Sequence, residues 1–361
     1  MQIGIVGIPF CGKSTLFQTI TKTHIDPSAL AKAEVHHAVV KIPDARLNKC
    51  SELFSPKSTV NATIEFVDVV GLKKGESGST QFSTHFLSNV KTNDALVQVV
   101  RLFENDTVPH PDNSINALRD IESFETEFIL SDLALVETRI ERIKKQLMKM
   151  NDELAKRELP VLEKCKQNLD TEKPLREFEF TKDELHLLKT YQLLSIKPML
   201  IALNLDESQR KDMDTYVKQI AEKKEGKNTK VVSFFGKIEM EMSELADEEA
   251  KIFMEEYGIK ESALNTLIRE AYALLGLESF FTVGEDECRA WTIKRGMTAQ
   301  EAAGVIHSDF FAKFIRAEVV SYDHFISAGG SFAKTKELGH WRLEGKEYIV
   351  KDGDILSIRH S

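Results

Sequence analysis

A chain of 361 residues exceeds one ordinary hydrophobic core and predicts two or three domains. Its 42% hydrophobic and 29% charged residues are those of a globular protein, and a formal charge of −9 excludes one that coats nucleic acid through overall positive charge, leaving only a local basic face for RNA. No apolar run approaches the ~20 residues that span a bilayer. The first residues enter a strand directly, so no leader is expected, and four scattered cysteines (Cys11, Cys50, Cys165, Cys288) without a C-x-x-C pair read as reduced thiols of a cytoplasmic protein.

Near the start, the apolar run Ile3 to Val6 leads into Gly7-Ile8-Pro9-Phe10-Cys11-Gly12-Lys13-Ser14-Thr15, which fits G-x-x-x-x-G-K-[ST]. Helical spacing of Leu16, Phe17 and Ile20 follows, so the motif sits between a buried strand and a helix, the context it needs. Backbone N–H groups wrapped around phosphates, a Lys on the β/γ-phosphates and a hydroxyl on Mg²⁺ are what that geometry supplies. Residues Pro9, Phe10, Cys11, Gly12, Lys13, Ser14 and Thr15 are therefore the expected phosphate cradle, with Ser14 a metal ligand. A nucleoside triphosphatase is expected.

His37 to Ile42 reads as a strand stopped by Pro43-Asp44, and Thr63 to Asp68 as the next. The second runs into Asp68-Val69-Val70-Gly71, a D-x-x-G turn in which Asp68 would hold Mg²⁺ through water and the Gly71 amide would meet the γ-phosphate. With Lys73 to Ser79 after it, this reads as a switch. The apolar run Ala95 to Val100 predicts a strand buried on both faces. From Ser114 to Asp170 there is no Gly and one Pro, and Ile129, Leu133, Val136, Ile140, Ile143 and Leu147 recur at helical spacing. That predicts an inserted antiparallel hairpin or coiled coil, broken near Pro160 or at Asp170 to Pro174 and resumed over Thr181 to Leu194.

Strand pattern returns at Pro198 to Asn204 and Lys230 to Phe234. Asn204 stands where N-K-x-D proteins read guanine, but Leu205 replaces the Lys and Glu207 the Asp, so the displaced carboxylate weakens a bidentate base contact. An ordinary strand-ending turn is the alternative. Beyond Gly276, short strands (Arg289 to Ile293, Ile315 to Val320, Tyr348 to Val350, Ile355 to Ile358) around one helix, Thr298 to His307, predict a small α+β domain.

Together the blocks Pro43-Asp44-Ala45-Arg46-Leu47, Glu65 to Leu72, Val99 to Asp106, Asn204 to Glu207, Lys237-Ile238-Glu239, Arg289 to Ile293, Ala303 to Phe310, Phe314 to Val319 and Trp341 to Lys346 resemble the YchF/Obg-like ATPase family over essentially the whole chain. The resemblance implies an α/β P-loop NTPase domain of G-domain type (residues 1–113 and 197–277), an inserted helical coiled-coil domain (114–196) and a C-terminal α+β, ubiquitin-like TGS domain (278–361). It also implies ATP hydrolysis in preference to GTP with Mg²⁺, association with the ribosome (the large subunit, with rRNA contact), a role in translation or stress response, and a monomer or weak dimer. On this reading Asn204, Leu205, Glu207, Ser233, Phe234 and Phe235 surround the base.

Leu72 stands where many GTPases carry a water-orienting Gln and cannot hydrogen-bond water, so unaided hydrolysis should be slow. The family places a His after the Glu-Asn-Asp block; His110 is that residue, either catalytic beside Lys13, Asp68 and Gly71 or a solvent-facing loop side chain. Phe10-Cys11 replace the usual Asn-Val, so no Asn-dependent monovalent-cation site is expected at Phe10, and the stretch 24–43 holds no Thr, only Ser28, for the first switch. Cys11, near Lys13 and a helix N-terminus, is either a redox-sensitive thiol or, preferred, the filler of an apolar slot. Arg139, Arg142, Lys144, Lys145 and Lys149 form either a phosphate-binding cluster or a solvated helix face. A nucleotide-gated binding module with little hydrolysis and a GTP-specific switch are the alternatives in function.

Overall fold

In the computed structural model, the residues described are 1–22, 35–69, 82–257, 259 and 261–361. Their strands are β1 (Gln2–Gly7), β2 (His36–Lys41), β3 (Ser58–Val60), β4 (Thr63–Asp68), β5 (Ala95–Arg101), β6 (Met199–Asn204), β7 (Thr229–Phe234), β8 (Leu277–Thr282), β9 (Glu287–Lys294), β10 (Phe314–Ser321), β11 (Arg342–Glu344) and β12 (Asp354–His360). Two compact units result, Met1–Ala38 with Glu65–Leu274, and Val39–Ile64 with Leu275–Ser361. The segment Val39–Ile64, expected in the nucleotide domain, thus groups with the C-terminal part.

The first sheet has the order β2-β4-β1-β5-β6-β7. β1 pairs in parallel with β4 on one side and β5 on the other, and β5, β6 and β7 continue in parallel. β5 and β6 are buried along their whole length, which is why both are unbroken apolar runs and not alternating ones. Because successive strands leave β1 in opposite directions, the carboxyl ends of β1, β4 and β5 form the switch point where open α/β sheets bind ligands.

The helical insert is an antiparallel hairpin of Ala117–Leu147 and Glu153–Leu169. The hairpin turns at residues 148–152; Pro160 lies exposed inside the second helix, which ends at Leu169, so of the two expected breaks the one at Asp170 to Pro174 is the one present. At the turn Asp152 caps the second helix, accepting from the amides of Leu154 (2.9 Å) and Ala155 (3.0 Å). Val136, Ile140, Ile143, Leu162 and Cys165 make the seam. The resumed helical stretch is only Lys182–Leu188 plus a 3-10 turn at Lys189–Tyr191, opened by a Thr181/Glu184 capping box. Buried Asp132 ties the first long helix to the chain entering β6, accepting from the amides of Leu194 (2.8 Å) and Ser195 (2.7 Å) and from the Ser195 hydroxyl.

The second sheet has the order β11-β10-β12-β8-β9-β3 around a core of Phe280, Ile293, Ala302, Ala317, Val319 and Leu356. Two expectations are corrected here. Tyr348–Val350 forms no strand, since only Ile349 makes an isolated bridge to Thr298. The expected single helix is Ala299–Ile306, but Ser308–Ala312, Tyr322–Ser327 and Phe332–Glu337 are helical as well. Arg46 holds Val39–Ile64 into this unit by pairing with Asp44 (2.9 Å) and Asp352 (2.7 Å).

Candidate nucleotide site

The loop after β1 is shaped by what packs on it. Gly12, the N-cap of the helix Lys13–Thr21, has φ 95°, and a Cβ there would run into the side-chain amide of Asn204. A Cβ on Gly7 would lie 2.5 Å from Cys11 Sγ and 2.9 Å from the Val99 carbonyl. Phe10, also at positive φ (64°), is 59% exposed. Among the described residues no side chain caps the helix Lys13–Thr21, and its first N–H groups and its dipole favour an anion there.

Lys13 and Asp68, far apart in sequence, meet directly beside this N-terminus. The ammonium donates to the Asp68 carboxylate and, at 2.9 Å, to the Val69 carbonyl. Both side chains are largely buried, so the pair lies in a low-dielectric floor at the ends of β1 and β4. Asp68, expected to reach Mg²⁺ through water, is here the partner of Lys13. Among the described residues no cluster of three or more His, Cys, Asp or Glu side chains forms a ready metal cage. A hydroxyl (Ser14) and one carboxylate (Asp68) are nonetheless the sparse oxygen set typical of Mg²⁺ held jointly with phosphates and water. Gly71, Leu72, Ser28 and Lys73 to Ser79 lie outside the described residues.

Asn204, expected at the base, uses both polar groups on the main chain. Its Nδ2 donates to the Cys11 carbonyl (3.0 Å) and its Oδ1 accepts from the Gly236 amide (3.1 Å). A Cβ on Gly236 would come within 2.9 Å of that Oδ1. The side chain therefore clamps the phosphate loop to the turn after β7. Next to it opens a cleft of about 610 Å³ lined by Leu205, Asp206, Glu207, Phe235, Lys237 and Ile238 among others. The Ser208 amide, donating to Asp206 at 3.0 Å, holds that carboxyl below its ordinary range. Of the expected base residues, Leu205, Glu207 and Phe235 line the cleft, whereas Ser233 does not and Phe234 is fully buried in the core. Strand register explains this: Phe234 sits opposite Asn204 at the end of β7, and its carbonyl accepts the Leu205 amide at 3.0 Å.

His110 is neither solvent-facing nor free. It is buried, its Nδ1 accepts from the Asp112 amide (3.1 Å), and Nε2 therefore carries the proton donated to Asp120 (3.1 Å). Arg119 holds the other Asp120 oxygen at 2.8 Å. Sequence reasoning missed what positions this loop. Arg101, at the end of β5, is 2% exposed and among the described residues donates only to carbonyls, those of Phe103 (3.1 Å) and Val108 (3.0 Å) foremost, while stacking over the Phe103 ring. A long cation ending an apolar strand was the available signal. Cys11 is completely buried, and burial pushes its thiol up to about 12, which overturns the redox-sensitive reading in favour of packing.

Residues 2–164 match the family described as 50S ribosome-binding GTPase, and residues 277–361 the YchF-GTPase_C family, described as a protein of unknown function. The chain is 44% identical to the "Ribosome-binding ATPase YchF" of Bacillus subtilis (strain 168), covering 99% of both chains. It is 40% identical to the Escherichia coli O157:H7 protein of the same name, over 99% of this chain and 98% of that one. A solved structure entitled the Schizosaccharomyces pombe YchF GTPase superimposes with a TM-score of 0.85 at 30% identity, over 99% of this chain and 97% of that one. The chain belongs to the YchF family.

Proposed function

We propose that this protein binds and hydrolyses ATP and acts as a ribosome-associated switch. The observation that carries the reading is the convergence of Lys13 and Asp68 beneath the helix N-terminus that follows Gly12. Phosphoryl transfer needs little from a protein beyond positioning and charge neutralisation. Loop amides and Lys13 would supply these on the phosphates, Lys13 leaving Asp68 as it does so. Ser14 and Asp68 would hold Mg²⁺, whose contribution is to neutralise charge on the phosphate oxygens. Gly71 is proposed to sense the γ-phosphate. Asn204 serves the base indirectly by joining phosphate loop and cleft wall, while Leu205, Glu207 and Phe235 would border adenine.

Relatives named ribosome-binding ATPases support both the nucleotide and the partner, although the Schizosaccharomyces pombe structure is entitled a GTPase. An exposed Glu207 where guanine readers place Asp favours adenine. His110 would act on water only after releasing Asp112 or Asp120, so turnover without a partner is expected to be slow. On the hairpin, Arg139 and Lys144 are paired with Glu158 and Glu163, leaving Arg142, Lys145 and Lys149 as the proposed contact to RNA of the large subunit. No helix among the described residues is long and apolar enough to cross a membrane. A cytoplasmic monomer or weak dimer is the proposed form. Phosphate release with ATP or GTP, comparing wild type with Lys13→Ala, tests the chemistry: Lys13-dependent turnover favouring ATP is expected, and equal release by both proteins would refute it.

A further inference from the structure

β5, β6 and β7 all point toward the nucleotide end of the sheet, and at their other end lies a second cleft of about 660 Å³. Six residues of strand separate the two ends by roughly 20 Å. Its floor is formed by the residues entering those strands, Asn93, Lys197 and Asn228, and its far wall by the segment after the hairpin, with Phe178, Phe180 and Leu188.

Lys197 is the anomaly. The residue is 8% exposed, yet among the described residues its ammonium donates only to the main-chain carbonyls of Lys91 (3.0 Å) and Asn93, and no carboxylate lies within ion-pairing distance. A buried cation without a directly bonded counter-charge is costly, and burial lowers the pKa of this one even though the Asp94 and Asp132 carboxylates act on it electrostatically from further away. Arg176, which also borders the cleft, is paired through Nη2 with Glu125, but its buried Nη1 has no hydrogen-bond partner among the described residues. Lys91, Lys189 and Lys227 add positive charge. Of the acidic residues present, Glu179 pairs with Lys227 (3.3 Å) and Asp94 takes the Gln2 amide (2.8 Å). More cations than carboxylates thus line a cleft that also carries an aromatic and aliphatic wall, in a space large enough for a small organic molecule.

We infer that this cleft is a binding site for an amphipathic organic anion, its acidic head at Lys197 and its apolar or aromatic body against Phe178, Phe180 and Leu188. The site is separate from the nucleotide loop and does not rest on the ATPase reading.

The test uses two fluorescent probes with nearly the same apolar body, the anionic 8-anilinonaphthalene-1-sulfonate and the neutral N-phenyl-1-naphthylamine. Both are titrated into the full chain with the nucleotide site saturated by Mg·ADP. One saturable anilinonaphthalene-sulfonate site is expected. Lys197→Met should weaken the anionic probe at least about tenfold and the neutral probe by less than about twofold, since only the former loses a charge-assisted hydrogen bond. Leu185→Asp, on a wall residue that is 45% exposed, should weaken both. Equal affinities in all three proteins, or equal losses of both probes with Lys197→Met, would overturn the inference. If Lys197→Met does not fold, Leu185→Asp and the exposed-site variant Lys189→Glu decide, and unchanged binding in both overturns it.

Discussion

Replacing Asn204 separates two roles that sequence alone leaves merged. Asn204→Ala strands two buried main-chain groups, the Cys11 carbonyl and the Gly236 amide, which are now bonded at 3.0 and 3.1 Å. Each loss costs about 1–3 kcal/mol, so about 3 kcal/mol is a conservative sum. If that cost falls on preorganising the loop, nucleotide affinity drops roughly a hundredfold, because 1.4 kcal/mol is about tenfold. The loss must be the same for ATP and GTP, since the phosphates bind the loop and not the base. Asn204→Asp keeps an acceptor for Gly236 but sets an oxygen against the Cys11 carbonyl, and should lose at least as much. Calorimetric titration with non-hydrolysable analogues of both nucleotides reads the two affinities, and amide exchange over residues 8–14 reads the loop. A tenfold or larger change in the ATP-to-GTP ratio with unchanged exchange would show that Asn204 reads the base and does not clamp the loop.

Other consequences follow from buried groups and from the hairpin end. All four thiols are buried, so a thiol reagent at pH 8 should label none of them until denaturant is added; prompt labelling of Cys11 would contradict its raised pKa. Between the ordinary thiol value of 9.0 and about 12, the unfolded chain releases a Cys11 proton that the native one keeps. Stability from this thiol is therefore complete below pH 9 and declines as pH rises toward 12, which urea midpoints for wild type and Cys11→Ala measure. Arg101→Met removes the donors that gather the carbonyls of residues 103–109, and amide exchange there should rise while β5 stays protected; unchanged exchange would refute the role. Met148 (85% exposed) and Met150 (58%) crown the hairpin beside Lys145 and Lys149. Lys145→Glu with Lys149→Glu should weaken cosedimentation with ribosomes and flatten its salt dependence, without altering turnover of the free protein.

Much of the nucleotide end is legible because strand, Gly-containing loop and helix follow one another within Gln2–Thr21, so local pattern and tertiary role coincide. The strands Thr63–Asp68 and Ala95–Arg101 are legible for the same reason, being apolar runs ended by a turn or a charge. What stays hidden depends on contacts across the fold. Nothing near Asn204 announces that its amide rests on Gly12 and Gly236, and nothing near His110 announces Asp120. Pro160 misleads because helix breaking is a local rule: the flanking Val161 and Leu162 are buried in the hairpin seam, which keeps the helix running past the lost N–H. The turn between the two long helices, residues 148–152, carries neither Gly nor Pro and is set by the Asp152 cap. Likewise Ser58–Val60 becomes a strand only because β9 offers it an edge, and this places Val39–Ile64 in the C-terminal unit.

Steady-state phosphate release from ATP with and without added ribosomes, in wild type and Lys13→Ala, tests the ribosome-associated ATPase most directly. The free protein should release phosphate slowly and ribosomes should raise the rate, with neither seen in Lys13→Ala. Release that ribosomes leave unchanged, or that persists without the Lys13 ammonium, would contradict that reading.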